Sequence, residues 1–287
     1  MITVKVGKLF SSVGLVARYD KKQALKLAKD LAKLLSKKGL AVYIEETLAG
    51  KVGFSAESVP LENMKTDFII TIGGDGTILR AILSLPDPEP PVLAVNMGVR
   101  GFLTEIEPKG AYLAVEKVLK GDFRMEKCTK LAVSTFGQTT AFALNDVVIS
   151  TGDSSKILYA KIFKDEYPIL KCQADGLIVS TQTGSTGYSL SAGGPVLDPE
   201  VDAFVLTPIC SLTVFRSLIF SAESKIAIEA IRPKKMQVMI DGRVSQMVDS
   251  EKPVVTIKRS KKVTSFIRFR DDFYLRLRSR LLFKGLG

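Results

Sequence analysis

The chain has 287 residues, of which 46% are hydrophobic and 25% are charged, and its formal net charge is +11. This length and composition are typical of a globular protein with one large or two ordinary domains, and no apolar run approaches the ~20 residues that a membrane span needs. Histidine is absent, which excludes it as a general base, as a nucleophile partner and as a metal ligand.

The positive charge suits either a nucleic-acid binder or an enzyme with polyanionic substrates. Lys21–Lys38 carries seven lysines on the polar face of a predicted helix, without interleaved aromatic residues, so base stacking is not expected there. Cys128, Cys172 and Cys210 are odd in number and far apart, which argues against a disulfide framework or a zinc site. The N-terminus lacks a signal-peptide layout. We expect a cytoplasmic protein without a membrane partner.

Strands and helices alternate in the first part of the chain. Strands are predicted at Val13–Ala17, Leu40–Ile44, Phe68–Ile72 and Val92–Val95, and helices at Lys21–Lys38, Thr77–Leu85 and Pro108–Lys120. Ala49–Asn63 shows no clear periodicity. Such alternation predicts a parallel sheet covered by helices, and we assign this α/β domain to residues 1–122.

The pattern changes after Asp122 to short β-like runs without a convincing long helix. The runs are Leu131–Thr135, Phe142–Ser150, Ile157–Phe163, Gly176–Ser180, Ala203–Thr207, Lys225–Ile231, Gln237–Ile240 and Val254–Lys258. They predict a mainly-β, antiparallel second domain, residues 123–267.

The tail, residues 268–287, is expected to return to the first domain. Within it, Asp271–Phe283 is predicted as a helix, because Phe273, Leu277 and Leu281 share one helical face that needs an apolar surface to cover. Its basic residues Arg276, Arg278 and Arg280 are expected to stay mostly in solvent.

The stretch Thr66–Arg80 places glycines between a buried strand and a helix start. Gly73, Gly74 and Gly76 allow a ligand to approach the backbone, and the first N–H groups of a helix bind phosphate. Asp75 stands where an anion would be expected to bind. A site that deprotonates a hydroxyl beside a phosphate needs such a carboxylate, whereas the alternative is that Asp75 only caps the helix.

Three further polar segments stand out in the β domain. Asn145-Asp146 interrupts an apolar run and suggests either a site or a turn. Asp175-Gly176 precedes a strand, and Thr181–Gly194 then holds seven hydroxyl side chains and four glycines in fourteen residues, which suits recognition of sugar hydroxyls and base edges. Asp241-Gly242-Arg243 lies between two β runs and predicts a hairpin turn.

These motifs resemble those of the NAD kinase family, in that family's order. They are Gly-Gly-Asp-Gly-Thr at Gly73–Thr77, Gly-Phe-Leu-Thr at Gly101–Thr104, Asn145-Asp146, and the long stretch Asp175–Pro195. The first motif is shared with lipid kinases and phosphofructokinases, whereas the last is specific. The resemblance implies transfer of a phosphoryl group to the 2′-hydroxyl of the adenosine ribose of NAD, and a Rossmann-like N-terminal domain.

The resemblance also implies residue roles and partners. Asp75 acts on the 2′-hydroxyl as general base or positioning group, Asn145 and Asp146 hold ribose, and Asp175 contacts the nicotinamide end, in some members across a subunit interface. The remaining implied nucleotide-binding residues are Gly73, Gly74, Gly76, Thr77, Phe102, Thr183, Thr186, Gly187, Tyr188, Ser191 and Arg243. Mg²⁺ and ATP or polyphosphate are the implied cofactor and donors, and a homodimer or homotetramer is the implied assembly.

The chain departs from the family pattern at Arg100, Gln173, Gly187 and Arg243, and it lacks the Pro-His that many members place after the position of Cys210. These departures concern contacts to the pyrophosphate and the nicotinamide ribose. Two alternatives remain at this point: a lipid or sugar kinase with the same glycine turn, and a non-catalytic nucleotide- or nucleic-acid-binding protein.

Overall fold

The structure is a computed structural model, and it describes residues 9–52, 57–98 and 101–281, without the side chains of residues 52, 244, 245 and 279–281. Contacts divide the chain into two units. The first unit comprises Met1–Lys127 and Thr264–Gly287, and the second comprises Cys128–Val263. The second unit is therefore continuous in sequence, whereas the first is built from both ends of the chain.

The first unit is a parallel sheet with helices. Its strands are β1 (Ser12–Ala17), β2 (Ala41–Glu45), β3 (Glu57–Val59), β4 (Phe68–Gly73) and β5 (Val92–Asn96), and its helices before the second unit are α1 (Lys22–Lys37), α2 (Glu46–Val52), α3 (Asp75–Ser84) and α4 (Ala111–Lys120). The strand order is β5-β4-β1-β2-β3, and every pairing is parallel. All six residues of β4 are buried, as expected for a strand covered on both faces.

The core of the first unit lies between this sheet and its helices. Helix α1 buries Ala24, Leu27, Ala28, Leu31, Ala32 and Leu35 on one face, which is the 3.6-residue spacing predicted from the sequence. The helix ends before Gly39, whose φ of 80° is the left-handed conformation that glycine adopts readily at this position. The sequence analysis missed α2 and β3, which are short and fall largely in the stretch without clear periodicity.

The second unit is antiparallel, as predicted, and contains two groups of strands. Its elements are β6 (Arg124–Thr135, which begins in the first unit), β7 (Gln138–Ala143), β8 (Asp146–Ser150), β9 (Leu158–Lys164), β10 (Tyr167–Ala174), β11 (Gly176–Ser180), α5 (Tyr188–Ser191), β12 (Ala203–Ile209), β13 (Leu218–Ser221), β14 (Ile226–Arg232), β15 (Lys235–Ile240), β16 (Val244–Asp249) and β17 (Val254–Arg268). One group has the order β13-β12-β11-β8-β15-β16, and the other contains β10-β9-β14-β17.

Three predicted runs differ clearly from the observed strands, and the first of them, Leu131–Thr135, is only the end of β6. Phe142–Ser150 was predicted as one run, but it divides into β7 and β8 around Leu144 and Asn145. Val254–Lys258 is only the beginning of β17, which continues to Arg268 and enters the first unit at Thr264. Its Phe266 pairs in parallel with Val92 of β5.

The tail returns to the first unit as a helix, α6 (Phe273–Leu281), as predicted. The ring centroid of Phe273 lies 6.4 Å from that of Phe102. The expectation that Arg276 stays in solvent is wrong, because its side chain is only 15% exposed and pairs with Asp272 and Glu105. Arg278 is exposed as expected, and the side chain of Arg280 lies outside the described part.

Candidate active site

The turn from β4 into α3 opens its backbone on one side. Gly74 precedes the helix with extended backbone, and Asp75 is the first helical residue. A Cβ atom placed on Gly74 or Gly76 would meet nothing within 4 Å. Neither glycine is thus covered on its Cβ side, at the end of α3 where the helix dipole is positive.

Gly73 has a different role from its two neighbours. A Cβ atom there would lie 2.2 Å from Oγ1 of Thr77, so the absence of a side chain lets Thr77 fold back against the end of β4. Thr77 is 9% exposed. Of the glycines predicted to approach phosphates, Gly74 and Gly76 have space on their Cβ side, and Gly73 is required by packing.

The carboxylate of Asp75 is held by a second turn of the first unit. It accepts hydrogen bonds from the N–H of Phe102 at 2.9 Å and from the N–H of Leu103 at 3.2 Å. Gly101 passes so close that a Cβ atom on it would lie 2.0 Å from Oδ1 of Asp75. Gly74 occupies the capping position of α3, without a side-chain cap. The carboxylate therefore fixes a neighbouring turn, a role that the capping alternative did not include. We call Gly73–Thr77 with Gly101–Leu103 the Asp75 turn.

The second unit places Asn145 and Asp146 at a corner between β7 and β8. Asp241, at the end of β15, accepts backbone N–H groups from Leu144, Asn145 and Asp146 at 2.8, 2.8 and 3.0 Å. Oγ1 of Thr181 donates to the carbonyl of Leu144 at 2.6 Å. These contacts fix the backbone at the break between the two strands.

The hydroxyl-rich loop after β11 packs directly on this corner. A Cβ atom on Gly184 would lie 1.9 Å from the carbonyl oxygen of Asn145, so only glycine fits. A Cβ atom on Gly187 would lie 3.7 Å from Oδ2 of Asp146 and 3.8 Å from Nδ2 of Asn145. The structure thus brings Asn145, Asp146 and Gly187 together, as expected of one site. We call Leu144–Asp146 with Thr181–Tyr188 the Asn145 corner.

One polar atom of the Asn145 corner has no partner. Oδ1 of Asn145 is buried and, in the described part of the chain, receives no hydrogen bond. Leaving a buried acceptor unpaired is costly, so the atom is suited to accept a hydrogen bond from a ligand hydroxyl. This is the observation in the second unit that points most directly to a polar ligand.

Other predicted residues of the loop differ in exposure. Thr186 is buried, and its hydroxyl donates to the carbonyl of Thr183 at 3.1 Å. Tyr188 begins α5 and is 47% exposed. Ser191 is exposed at the end of the same helix. Tyr188 and Ser191 are therefore the most exposed of these side chains, and Thr183 is partly exposed.

Asp175 and Arg243 are both exposed. Arg243 lies in the β15–β16 turn, two residues beyond Asp241 and so beside the Asn145 corner. Asp175 precedes β11, whose register pairs Ser180 with Asp146 and Gly176 with Ser150. Asp175 is therefore at the opposite end of the strand, about 17 Å from Asp146 at ~3.3 Å per residue. The chain does not bring Asp175 to the corner by itself.

Two buried carboxyl groups meet at this corner. Burial, together with repulsion from Asp241, raises the pKa of Asp146 to about 7. Burial also raises the pKa of Asp241, but three backbone N–H donors and the charge of Lys130 act in the opposite direction. Asp146 is consequently the member of the pair that takes up a proton first as the pH falls.

Sequence reasoning missed the two residues that build the corner. Asp241 was recognised only as half of a hairpin dipeptide, and the turn is indeed there, with φ of 48° at Asp241 and 67° at Gly242. Thr181 was recognised only as part of the polar loop. An Asp that ends a buried strand, where a carboxylate must find donors, was the available signal.

A parallel α/β unit with an open glycine turn, joined to an antiparallel unit with a polar corner, is the architecture of a nucleotide-binding phosphotransferase. A sequence model of the ATP-NAD kinase N-terminal domain matches residues 13–123, and one of the C-terminal domain matches residues 144–269. The NAD kinase of Methanothermobacter thermautotrophicus is 37% identical over 277 residues, 96% of this chain and 97% of the relative. The NAD kinase of Thermococcus kodakarensis is 38% identical, over 91% and 95%.

Solved structures agree with the sequence comparison. An NAD kinase from Archaeoglobus fulgidus in complex with ATP superposes with a TM-score of 0.76 and 28% identity, over 93% of this chain and 99% of that one. Yeast NADH kinase in complex with NADH has a TM-score of 0.88, over 97% and 89%, and at 24% identity it shows the shared fold. The chain belongs to the NAD kinase family. Its reaction is transfer of a phosphoryl group to the 2′-hydroxyl of the adenosine ribose of NAD, and the sequence-based identification is confirmed.

Proposed function

We propose that Asp75 is the residue that acts on the 2′-hydroxyl in this reaction, as its general base or as the group that orients it. The supporting observation is that two backbone N–H groups hold its carboxylate beside Gly74 and Gly76, where an added Cβ atom would meet nothing within 4 Å. Phosphoryl transfer depends on positioning and on stabilising charge, and a fixed carboxylate next to an anion-binding helix start supplies both.

The donor is ATP on this proposal, with polyphosphate as the alternative. The ATP complex of the Archaeoglobus fulgidus relative supports ATP. The chain has no Walker-type lysine loop, so donor phosphates would be bound by the backbone around Gly74 and Gly76. Assaying purified protein with ATP, other nucleoside triphosphates and polyphosphate in parallel tests this. Label that enters NADP from polyphosphate and not from ATP would reverse the assignment.

Mg²⁺ is the metal that the family resemblance implies. The described residues contain no cluster of three or more Asp, Glu or Cys side chains able to bind a metal. A single carboxylate such as that of Asp75 would suit Mg²⁺, which uses one or two carboxylates together with waters and substrate phosphates. Asp75 is the carboxylate that would contact it or its waters, and the ion would neutralise charge on the transferred phosphoryl group.

The Asn145 corner would bind NAD. The unpaired Oδ1 of Asn145 and the buried carboxyl of Asp146 would hold ribose hydroxyls. The segment Thr183–Ser191 would line the adenine, and Phe102 would lie near it. Arg243, beside the corner, would meet the pyrophosphate. The wide spacing of Asp175 from the corner supports a homodimer or homotetramer in which this residue serves a neighbouring subunit's site.

Three cysteines without disulfides support a cytoplasmic location. None of the described helices is long and apolar enough to span a membrane.

Asp75→Asn tests the central assignment. Because Asn lacks the basicity and charge of Asp, kcat should fall by ~10² or more while the protein remains folded. Asp67→Asn is the matched control. Asp67 precedes β4 and accepts N–H groups from Ser11 and Ser12, so its loss weakens backbone contacts without touching the Asp75 turn. An Asp75→Asn protein with near-normal kcat rejects the assignment.

A further inference from the structure

Arg268 is a buried cation near the end of β17 that contacts the Asp75 turn. Its side chain is 3% exposed. The guanidinium donates to Oε2 of Glu126 at 2.5 Å, to the carbonyl of Leu103 at 2.9 Å and to Oε2 of Glu105 at 3.2 Å. All of these groups belong to the first unit.

Leu103 connects Arg268 to Asp75. Its N–H donates to the Asp75 carboxylate, and its carbonyl accepts from Arg268. Leu103 is thus fixed at both of its backbone polar groups. Its N–H is bound to the Asp75 carboxylate, and its carbonyl is bound to the Arg268 guanidinium.

The following residue, Thr104, and Glu105 extend this clamp. Arg276 of α6 lies 3.5 Å from the carbonyl of Thr104 and 3.6 Å from Glu105. Oε1 of Glu105 accepts the backbone N–H of Phe269 at 2.8 Å. The segment from Leu103 to Glu105 is therefore fixed to the returning part of the chain at every residue.

A buried ion pair of this kind is not explained by stability alone. Desolvating an arginine and two glutamates is costly, and apolar residues of the same volume often stabilise as well or better. What the guanidinium adds is geometry, because its planar fork can serve three acceptors in fixed directions, which the single ammonium of lysine cannot do.

We propose that Arg268 is a positioning residue for phosphoryl transfer: it fixes the Leu103 peptide and thereby the orientation of the Asp75 carboxylate. This inference rests on the role proposed for Asp75. It predicts a kinetic defect confined to the chemical step, since Arg268 reaches Asp75 through the backbone of the turn.

The test combines Arg268→Lys, Glu126→Gln and, as a control, Arg259→Lys. Arg259 lies on the same strand and pairs with Asp202 and Glu223, but it is 40% exposed and belongs to the second unit. For Arg268→Lys we expect kcat to fall by ~10-fold or more, with KM for NAD and ATP changed less than ~2-fold, because small displacements of a reacting group reduce rate steeply. Arg259→Lys should leave both constants unchanged.

Hydrogen exchange supplies a readout that does not depend on activity. In Arg268→Lys the amides of Phe102 and Leu103 should exchange faster, while amides of β1 and β4 should not change. If Arg268→Lys fails to fold, Glu126→Gln carries the test. That change leaves the contacts of Arg268 to Leu103 and Glu105 in place, and it should alter kcat and the two amides in the same direction by a smaller amount.

A double-mutant comparison separates this inference from the assignment of Asp75. If Arg268 acts through Asp75, Arg268→Lys should lower the single-turnover rate of Asp75→Asn by less than ~2-fold, because coupled residues are not additive. If the rate decreases of the two single variants multiply in the double variant, the positioning role of Arg268 is rejected, whereas the catalytic role of Asp75 is not. A normal rate for Asp75→Asn alone rejects the assignment of Asp75 itself. Faster exchange at Phe102 and Leu103 with an unchanged kcat also overturns the inference.

Discussion

Asp146 and Asp241 are joined by two hydrogen bonds, one donated by the backbone N–H of each residue. The N–H of Asp146 donates to Oδ1 of Asp241 at 3.0 Å, and the N–H of Asp241 donates to the carbonyl of Asp146 at 3.0 Å. Two further N–H groups converge on the Asp241 carboxylate. The carboxylate that holds the backbone of the Asn145 corner is thus that of Asp241, and it is distinct from the carboxyl of Asp146, for which we propose contact with ribose.

Asp241→Asn should destabilise the protein. An amide offers one acceptor oxygen and turns an NH₂ group toward backbone N–H donors, so at least one buried donor loses its partner, at ~2 kcal/mol or more. The free energy of unfolding in urea measures the loss. Asp249→Asn, an exposed residue on the partner strand β16, should change it by less than ~0.5 kcal/mol. Equal effects of the two variants would contradict the role of Asp241.

Stability should depend on pH through Asp146. The pKa of Asp146 is raised to about 7 in the folded chain, from its ordinary value of 3.8. Between about 4 and 7 the folded state therefore binds more protons than the unfolded state, so stability falls as pH rises through this window. Asp241, whose pKa is also raised, acts in the same direction.

Asp146→Asn isolates that contribution. In the variant, the free energy of unfolding should fall less as the pH rises. The difference in this free energy between the variant and the unchanged protein should be smallest near pH 4 and should grow toward pH 7, by at most ~1.4 kcal/mol per pH unit. Parallel curves would show that Asp146 does not titrate in this range.

Gly101→Ala should impair catalysis through Asp75. The added methyl group would lie 2.0 Å from Oδ1 of Asp75, so either the carboxylate or its turn must move, and kcat should fall by ~10-fold or more. Gly50→Ala is the matched control, because its methyl group meets nothing within 4 Å in α2. It should keep normal kcat and gain ~0.5–1 kcal/mol of stability. An active Gly101→Ala protein would mean that the turn tolerates displacement.

Gly184 and Gly187 should respond differently to the same change. At Gly184 the methyl group would meet the carbonyl of Asn145 at 1.9 Å, whereas at Gly187 its nearest atom is the carbonyl of Gly184 at 3.2 Å. Gly184→Ala should therefore unfold the corner and lower the melting temperature, while Gly187→Ala should fold and bind NAD within ~3-fold of normal. Isothermal titration with NAD, together with thermal melts, compares them. Similar melting temperatures would refute the close approach at Gly184.

The sequence was most informative about features that depend on residues close together in the chain. The β4–α3 turn could be predicted because a buried β-branched run, three glycines and a helix start are adjacent in the chain. The break between β7 and β8 could not, because it depends on Asp241, which is 96 residues from Asn145. The burial of Arg276 could not be predicted either, because it depends on a contact between distant parts of the chain. Its carboxylate partner Glu105 lies far away in sequence, and helical periodicity carries no information about it.

The same difference between local and distant contacts applies to the candidate site residues. The motifs predict Asp75, Asn145, Asp146 and Gly187 as site residues, because each lies in a short segment that the sequence alone makes conspicuous, and their roles stay predictions. They did not identify Gly101 or Arg268 as parts of the support for Asp75. Gly101 matters through a contact across a turn, and Arg268 through one carbonyl 165 residues away.

The division of the first unit between both ends of the chain bears on how it is synthesised. Residues 128–263 form a continuous unit that can fold as soon as it leaves the ribosome. The first unit lacks the Phe266–Val92 pairing and the Arg268 contacts until residues 264–281 have followed. During translation the segment from Leu103 to Glu105 therefore lacks its contacts to Arg268, Phe269 and Arg276, although β5 already pairs with β4 and bonds to Ile106. The Asp75 turn thus reaches its full set of contacts only after almost the whole chain has been synthesised.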